Sequence, residues 1–474
     1  MKVLYAVSEA KPFIASGGLA DVAGSLPAAL RRRLIGCRVV LPLYEGIPEK
    51  YKNEMRFITH ITVPVAWRRQ YCGVFELKLG GVICYFIDNQ YYFKREGIYG
   101  HYDDAERFAF FSRAVLEILP CIEFKPDIIH CNDWQTALIP VYYDRYYARR
   151  EGYENIKTVF TIHNIQYQGK YGNEVLGDVA GFGEEDASIL ENDGCINFMK
   201  GAIECANAVT TVSPSYAEEI LDPWYAYGLD HILNERRWKL RGILNGIDTA
   251  LNDPATDPAL PVNFSAEDPS GKAECKAALQ REMGLPERAD VPVIGIVSRL
   301  VSHKGFDLVK CVMDELLSTE DVQVTVLGSG DWQYESFFSE MAAKYPEKLA
   351  VCLAFKPALA SRIYAGSDIF LMPSKSEPCG LSQMFALRYG SVPVVRATGG
   401  LKDSVQDSGL GEGNGFVVWD YNAHDMLHAI RRAIGGYRDA EGWAILRKRA
   451  MECDFSWGRS ANEYIRLYKE LLKG

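Results

Sequence analysis

Short apolar runs rich in β-branched residues alternate with helical segments along this chain, and the same alternation restarts in its second half. Runs of this kind are typical of parallel sheets covered by helices on both faces. The sequence therefore predicts an α/β protein with two doubly wound, Rossmann-like domains facing one cleft, and with binding residues at the carboxyl ends of strands. The predicted strands are Val3–Val7, Ile128–His130, Val159–His163 and Val209–Val212, then Val293–Val297, Val324–Leu327, Ile369–Met372 and Val392–Val395.

Two other segments help to organise the chain. Residues 252–271 are rich in turn-forming residues and poor in apolar periodicity, which predicts a linker between the halves. Near the end of the chain, apolar residues recur at helical spacing, so we expect a final helix that packs on a domain. The stripe consists of Ala461, Tyr464, Ile465, Tyr468 and Leu471.

The charge balance excludes some partners. The 474 residues include 52 basic and 62 acidic ones, for a formal net charge of −10. No overall electrostatic field would attract nucleic acid or an anionic membrane, so a phosphate-binding site has to be built locally.

The first predicted strand begins almost at Met1, and no apolar stretch approaches the ~20 residues that span a bilayer. We expect a cytoplasmic enzyme with no nucleic-acid or membrane partner.

Twelve cysteines are scattered along the chain without the spacing of a zinc site. Six of them lie among apolar neighbours, which predicts reduced thiols in the core. They are Cys37, Cys84, Cys121, Cys205, Cys311 and Cys352.

Polar residues follow a predicted strand at Ser374–Gln383, where a helix-like run begins. Glu377 lies there beside Gly380, at the start of the helix. Free backbone N–H groups at a helix start can hold phosphate or sugar hydroxyls, and a carboxylate can stabilise positive charge near an anomeric carbon. This pairing suits a sugar nucleotide, although this segment alone fits an ordinary turn with a solvated Glu equally well.

Two cations follow the first strand of the second half. Arg299 and Lys304 are five residues apart in one predicted loop. Arg can bind a diphosphate as a fork and Lys as a point charge, so the loop predicts a diphosphate site. The alternative is a solvated surface pair, but these charges follow a buried strand.

The first half has polar clusters after three of its strands. Gly17, Gly18 and Asp21 come after the first strand, and this arrangement suits a close approach to phosphate and hydroxyl binding. Asp133 and His163 each follow another strand of the same predicted sheet, among aromatic residues that suit carbohydrate. The structural alternatives are a Gly-Gly turn with a helix-end charge and a hydrogen-bonded core histidine.

Several enzyme classes lose support. Gly328-Ser329-Gly330 imitates a nicotinamide-binding loop, but Gln333 stands where the third glycine belongs. The sequence has no P-loop, no nucleophile elbow and no Asp-x-Asp metal clamp. We therefore expect neither a metal nor a cofactor, with leaving-group charge neutralised by the two loop cations and backbone dipoles.

The chain resembles bacterial glycogen synthases and plant-type starch synthases, which are retaining glucosyltransferases of the GT-B class. The resemblance rests on the order and spacing of motifs over nearly the whole length. The motifs are Gly17–Val22, Arg107–Arg113, Asp133-Trp134, His163-Asn164, Leu244–Asp248, Ser298-Arg299, Lys304-Gly305, Glu377–Leu381, Thr398–Leu401 and Asp454–Trp457.

This resemblance implies transfer of glucose from ADP-glucose to the non-reducing end of an α-1,4-glucan, with retained anomeric configuration. Carried onto this chain, it implies that Arg299 and Lys304 bind the diphosphate together with backbone N–H groups around Gly18, Leu381 and Ser382.

The resemblance also implies sugar and base contacts. Glu377 and His163 would lie at the transferring glucose, and backbone groups at Cys379 and Gly380 would hold its hydroxyls. Phe355 would stack on the adenine. The two carboxylates that would lie near the donor glucose or the acceptor are Asp21 and Asp133.

The implied domains are an N-terminal domain on the acceptor side, residues 1–245 with a C-terminal helix 456–474, and a donor domain, residues 246–455. Ala15 departs from the family pattern, since most relatives carry a lysine two residues before the glycine pair. The departure motivates an alternative, a catalytically weakened glucan-binding or regulatory homologue. A phosphorylase, the third possibility, would need pyridoxal phosphate bound to a lysine.

Overall fold

The computed structural model describes residues 1–473, so Gly474, the last residue of the predicted C-terminal segment, lies outside the described part. Its internal contacts divide the chain into two compact units. Unit 1 comprises Met1–Gly246 together with the segment that begins at Trp457, and unit 2 comprises Ile247–Ser456. The chain therefore leaves unit 1 and returns to it after unit 2 is complete.

Unit 1 is built on a nine-stranded sheet with the order β12-β11-β7-β6-β1-β2-β5-β4-β3. The first seven strands in this order, from β12 across to β5, pair in parallel. The last two, β4 and β3, form an antiparallel hairpin that pairs with β5 at one edge of the sheet. A separate small sheet has the order β8-β10-β9. The strands are β1 Lys2–Ala6, β2 Gly36–Pro42, β3 Arg56–Val65, β4 Arg68–Leu79, β5 Val82–Asp88, β6 Ile128–Asn132, β7 Lys157–Ile162, β8 Lys170–Tyr171, β9 Glu191–Asn192, β10 Cys195–Asn197, β11 Ala208–Thr211 and β12 Leu240–Gly242.

Helices connect most of the parallel strands, because a crossover must bring the chain back to the end of the sheet at which the preceding strand began. Amphipathic α1 buries Leu26 and Leu30, and α4 buries Phe108 and Phe111. The helices are α1 Gly18–Arg32, α2 Glu49–Lys52, α3 Gln90–Phe93, α4 Asp104–Glu117, α5 Leu138–Tyr142, α6 Ala187–Leu190, α7 Phe198–Cys205, α8 Pro214–Glu219, α9 Pro223–Ala226 and α10 Asp230–Glu235.

Unit 2 has a six-stranded, all-parallel sheet with the order β15-β14-β13-β16-β17-β18. Numbered from its own first strand, this is the Rossmann order 3-2-1-4-5-6. The elements, in chain order, are α11 Gly271–Met283, β13 Val293–Val297, α12 Phe306–Thr319, β14 Gln323–Leu327, α13 Trp332–Lys344, β15 Leu349–Cys352, α14 Pro357–Gly366, β16 Ile369–Met372, α15 Ser382–Arg388, β17 Val392–Arg396, α16 Gly399–Ser404, β18 Phe416–Val418, α17 Ala423–Tyr437 and α18 Ala440–Met451.

Both faces of the sheet in unit 2 are buried. Alternate residues of β13 point to opposite faces, so Ile294 joins one hydrophobic cluster and Val293 another. The first cluster includes Phe338 of α13, and the second includes Ile363 of α14. This double burial explains why the strand sequences are continuous apolar runs rather than alternating ones.

Each main sheet has one point where the strand order reverses direction. In unit 1 it lies between β1 and β6, and in unit 2 between β13 and β16. Ligands of open α/β sheets bind beside the carboxyl ends of strands at such a point. The loops that follow β1, β6, β13 and β16 are therefore the candidate ligand-binding loops.

The final helix, α19 Trp457–Leu471, packs against α1 in unit 1. Tyr468 is buried, and its hydroxyl lies 2.6 Å from Nδ1 of His130 in β6. The predicted stripe largely faces the core, with Ala461 and Tyr464 also buried.

Two expectations from the sequence differ from the structure. Residues 252–270 contain no helix or strand, but Leu260 and Phe264 are buried in a core cluster of unit 2, so this segment belongs to that unit rather than linking two. Of the six predicted core thiols, Cys37 and Cys84 are buried and Cys311 is exposed on α12. The other three are only partly buried, namely Cys121, Cys205 and Cys352. Within residues 1–473, no helix combines the length and apolar character needed to cross a bilayer.

Candidate active site

The loop after β13 carries Arg299 and Lys304 in very different environments. The Arg299 side chain is exposed, and it makes no ion pair with the described residues. Lys304 is largely buried, and its Nζ donates to Oε2 of Glu377 at 2.6 Å. The predicted diphosphate-binding loop and the predicted sugar-binding carboxylate therefore meet at the reversal point of unit 2.

A glycine explains how these loops come so close. Gly305 has φ 78°, and a Cβ there would lie 2.1 Å from the Pro373 carbonyl oxygen at the end of β16. Only glycine adopts this backbone conformation while leaving room for the neighbouring chain. Gly305 thus lets the Lys304 loop lie directly against the segment that carries Glu377.

Glu377 also accepts hydrogen bonds from two other residues, one at its carboxylate and one at its backbone oxygen. The hydroxyl of Ser374 donates to Oε2 at 2.9 Å, and the backbone oxygen of Glu377 accepts from the Gly400 N–H at 3.1 Å. Gly399 has φ 43°, and a Cβ there would lie 2.1 Å from that same backbone oxygen. Loops after β13, β16 and β17 therefore fix one buried carboxylate.

A cavity of about 230 Å³ lies in unit 2 at the loops that follow β13, β14 and β15, with the first residue of α15 in its wall. Arg299, Phe355 and Ser382 are among its lining residues, so three predicted donor-binding positions meet in one cavity. Phe355 is 89% exposed. An exposed ring at a cavity wall offers a stacking surface for a flat base.

The remaining predicted donor positions lie between Glu377 and α15. Cys379 is buried, and Gly380 has φ 69°. Leu381 immediately precedes α15, and its side chain provides no cap for that helix. The structure thus places these residues on the short connection that leads from the carboxylate to the helix.

In unit 1, Asp133 follows β6 with φ 56° and ψ 178°, an uncommon conformation for a residue with a side chain. Its carboxylate accepts the backbone N–H of His163 at 2.7 Å and also that of Asn164. Burial raises the pKa of Asp133 to about 7, and these N–H groups oppose that shift. The structure therefore joins Asp133 and His163, both predicted from the sequence.

The imidazole of His163 is bonded to a neighbour that the sequence did not single out. Its Nε2 lies 2.9 Å from Oδ1 of Asn132, the last residue of β6. Burial lowers the pKa of His163 to about 3, because an imidazolium ion is poorly solvated there. The ring is therefore neutral near pH 7.

A second buried carboxylate organises the loop before α1. Glu9 accepts hydrogen bonds from the backbone N–H groups of Ser16 and Gly17 and from the Ser16 hydroxyl at 3.1 Å. Burial raises its pKa, although these bonds and one from Tyr99 act in the opposite direction. Gly18 begins α1, with open space on the side where a Cβ would be.

Asp21 lies in the first turn of α1, where it accepts from Nζ of Lys11 at 2.5 Å. Both side chains are exposed. Ala15 is exposed in the same loop. The ammonium group of Lys11 thus lies beside the start of α1, although Ala15 stands where the resembled family has a lysine.

The predicted residues fall into two groups, one in each unit, and four additional residues support them. Glu9 and Asn132 each stand two residues beyond the end of a predicted strand, and this position is a signal that could have identified them, since polar residues buried there are costly unless they bind something. Ser374 stands beside Glu377 in the motif. Tyr99, whose hydroxyl lies 2.7 Å from Ser8 Oγ, gave no signal because it belongs to a loop far from any strand end.

Comparisons with known proteins agree with this architecture. The family model described as Starch synthase catalytic domain matches residues 2–235, and the one described as Glycosyl transferases group 1 matches residues 283–445. The catalytic domain of starch synthase IV from Arabidopsis thaliana, solved bound to ADP and acarbose, superposes with a TM-score of 0.91 and 36% identity, covering 100% of this chain and 99% of that one. The chain is thus a glycosyltransferase of the GT-B class.

Full-length relatives narrow this class. A glycogen synthase from Geobacillus thermodenitrificans is 53% identical, covering 100% of this chain and 98% of the relative. One from Desulforamulus reducens is 51% identical, with 100% and 99% coverage. The chain belongs to the glycogen and starch synthase family, which confirms the resemblance and the predicted fold class. No finding supports the alternative of a homologue that has lost catalysis.

Proposed function

We propose that this synthase transfers glucose from ADP-glucose to the non-reducing end of an α-1,4-glucan and retains the anomeric configuration. The observation that carries the proposal is the Lys304–Glu377 pair at 2.6 Å, whose lysine lies in the same loop as Arg299, which lines a cavity together with Phe355. A base-stacking ring, two cations and a sugar-facing carboxylate are the groups that a nucleotide sugar requires. The Arabidopsis neighbour, which binds ADP, supports the choice of base.

The donor is assigned to unit 2. Phe355 stacks on the adenine, and Arg299 and Lys304 bind the diphosphate, as a fork and as a point charge. Because Lys304 has three N–H donors and only one is used by Glu377, two remain for phosphate oxygens. Backbone groups at Cys379, Gly380, Leu381 and Ser382 complete the donor contacts.

The chemical step follows from these positions. The bond between the anomeric carbon and the diphosphate oxygen breaks, and the bond from the acceptor hydroxyl forms on the same face of the sugar. The acceptor proton passes to an oxygen of the leaving diphosphate. Arg299 and Lys304 stabilise the charge on that leaving group, while the Glu377 carboxylate stabilises the positive charge that develops on the glucosyl ring.

Unit 1 supplies the sugar-facing groups on the acceptor side. Asp133 and His163 are adjacent, and Asp21 lies near Gly18 at the start of α1. These polar groups bind hydroxyls of the transferring glucose or of the glucan terminus, and Gly18 offers a backbone N–H to the diphosphate. A cytoplasmic location stays a prediction from the sequence.

The test is incubation of the purified full-length protein with glycogen and either ADP-glucose or UDP-glucose. We expect release of ADP and chain extension, with faster turnover of ADP-glucose. Glu377→Ala should abolish turnover while leaving the far-UV circular dichroism spectrum unchanged. Absence of both ADP release and chain extension in the wild type, or full activity in Glu377→Ala, would overturn the proposal.

A further inference from the structure

The side chain of Asn132 uses both ends of its amide in the buried carboxyl end of β6. Its Nδ2 donates to the backbone oxygens of Ala6 at 3.0 Å and His130 at 3.4 Å. Carbonyl oxygens only accept, so the amide nitrogen must face them. The hydrogen-bond network thus determines which end of this amide is oxygen.

The amide oxygen consequently faces two other groups. The hydroxyl of Tyr5 donates to Oδ1 at 2.9 Å, and Nε2 of His163 lies 2.9 Å from the same atom. An amide oxygen carries no proton, so it can only accept. The proton in the contact with His163 therefore resides on Nε2.

The state of the other ring nitrogen follows. His163 is neutral near pH 7, because burial lowers its pKa to about 3. A neutral imidazole carries a single N–H, which leaves Nδ1 with a free lone pair. No described residue forms a hydrogen bond with Nδ1, and the side chain is only partly buried.

The backbone of the same residue is fixed by the neighbour of Asn132. The His163 N–H donates to Asp133 Oδ1 at 2.7 Å, and the Asp133 N–H donates to the Thr161 backbone oxygen at 2.9 Å. Two consecutive residues at the end of β6 thus hold the main chain and the ring of His163.

We propose that Asn132 is a positioning residue that fixes His163 as the Nε2–H tautomer and thereby presents Nδ1 as a hydrogen-bond acceptor for a sugar hydroxyl. The inference rests on the proposed function, because it takes the group in front of His163 to be a sugar. It assigns His163 the role of acceptor rather than of general acid. A neutral ring with bare Nδ1 has no proton to give at that atom.

The direct test is nitrogen-15 NMR of the full-length wild-type protein labelled at histidine, with His163→Gln used to assign the His163 signals. We expect Nε2 to show the signal of a protonated nitrogen and Nδ1 that of an unprotonated one. The reverse pattern, or protonation of both nitrogens at pH 7, would overturn the inference. This measurement needs no catalytic activity.

Two variants separate positioning from general structural support. Asn132→Leu removes the acceptor, and we expect a mixture of tautomers and a fall in kcat of roughly tenfold to a hundredfold, the effect of one mispositioned hydrogen bond. Tyr5→Phe is the matched control, since it removes the other donor to Oδ1 and should leave the His163 signals unchanged. A change of tautomer in Tyr5→Phe without one in Asn132→Leu would contradict the assignment.

Two substitutions of His163 test whether its Nδ1 acts as a hydrogen-bond acceptor. His163→Asn can place an oxygen near the position of Nδ1, whereas the longer side chain of His163→Gln carries its amide to the position of Nε2 and leaves no acceptor at that of Nδ1. We expect His163→Asn to keep more of kcat, and equal losses would count against an acceptor role. A wild type that never releases ADP would refute the proposed function, while an active wild type with the reverse tautomer would refute only this inference.

Discussion

Nζ of Lys304 lies 2.6 Å from Oε2 of Glu377, so the two charges predicted to bind different parts of the donor form one buried pair. The side chains are 16% and 9% exposed. A charge buried to this degree depends on its partner, since neither is well solvated alone. Disturbing either residue therefore changes the position and the charge balance of the other.

We expect Lys304→Met to destabilise the protein by about 3–5 kcal/mol, because it leaves the Glu377 carboxylate buried without its cation. In Lys304→Met/Glu377→Gln the loss should be much smaller than the sum of the single losses. Urea denaturation of the wild type, Lys304→Met, Glu377→Gln and the double variant measures this coupling. Lys344→Met, which breaks the exposed pair with Asp314, is the control and should change stability little. A coupling energy near zero would contradict the importance of the pair.

Phe355→Ala should raise KM for ADP-glucose roughly fivefold to a hundredfold, because stacking of a base on an aromatic ring contributes about 1–3 kcal/mol. Since the ring is 89% exposed, the free energy of unfolding should remain close to that of the wild type. Steady-state kinetics with the donor varied tests this expectation. Ile445→Ala, also an exposed apolar residue of unit 2, should leave KM unchanged.

Asp133 should make stability depend on pH. Its pKa is about 7 in the folded protein and about 4 when unfolded, so between these values the unfolded chain releases a proton that the folded one keeps. Stability contributed by the protonated carboxyl is therefore present below pH ~4 and lost as the pH rises to about 7. Asp133→Asn has no carboxyl at this position, so this loss of stability between pH ~4 and ~7 should not occur in that variant.

Urea denaturation of wild type and Asp133→Asn at several pH values checks this sign. The stability of Asp133→Asn relative to wild type should increase from pH ~4 to ~7 by an amount on the order of a few kcal/mol and then level off. A difference that stays constant with pH, or that decreases, would show that the carboxylate is charged throughout this range.

Gly399→Ala should lower both stability and kcat. The added Cβ would lie 2.1 Å from the backbone oxygen of Glu377, and the φ of 43° is strained for alanine, so the carboxylate must shift. Gly435→Ala provides the contrast, since nothing lies within 4 Å of its Cβ position in α17. That variant should be stabilised by about 0.5–1 kcal/mol and keep full activity. Unchanged kcat in Gly399→Ala would argue against precise placement of Glu377.

Tyr468→Phe should destabilise the protein by about 1–3 kcal/mol, because it leaves Nδ1 of the buried His130 without its partner. Thermal or urea unfolding measures the loss. Asn462→Ala in the same helix breaks only an exposed hydrogen bond with Arg33, and it should cost less than about 0.5 kcal/mol. Similar losses in both variants would show that the His130 contact has no special weight.

Much of the scaffold followed from the sequence, because fully buried parallel strands must be apolar along their whole length. Val293–Val297 and Ile369–Met372 were predicted with the bounds that the structure gives. The candidate residues were predicted because ligands of doubly wound sheets bind at the carboxyl ends of strands. The order of the strands, which locates the reversal point, comes from the structure.

The contacts inside the site could not be predicted in the same way. The pairing of Lys304 with Glu377 depends on close approaches at Gly305 and Gly399, and these involve segments that are distant along the chain. Similarly, Asp133 combines a positive φ with a hydrogen bond from its N–H to Thr161, and the two residues belong to segments that are distant along the chain. Sequence patterns indicate which residues follow the carboxyl end of a strand. They do not indicate which of those residues adopt a positive φ.

The return of α19 to unit 1 has a consequence for biosynthesis. Domains generally fold as they emerge from the ribosome, beginning at the amino terminus. Here the helix that covers α1 and supplies Tyr468 to His130 is translated after every residue of unit 2. Unit 1 is therefore begun before unit 2 and completed after it, and a nascent chain must carry an uncovered apolar surface until α19 has been made.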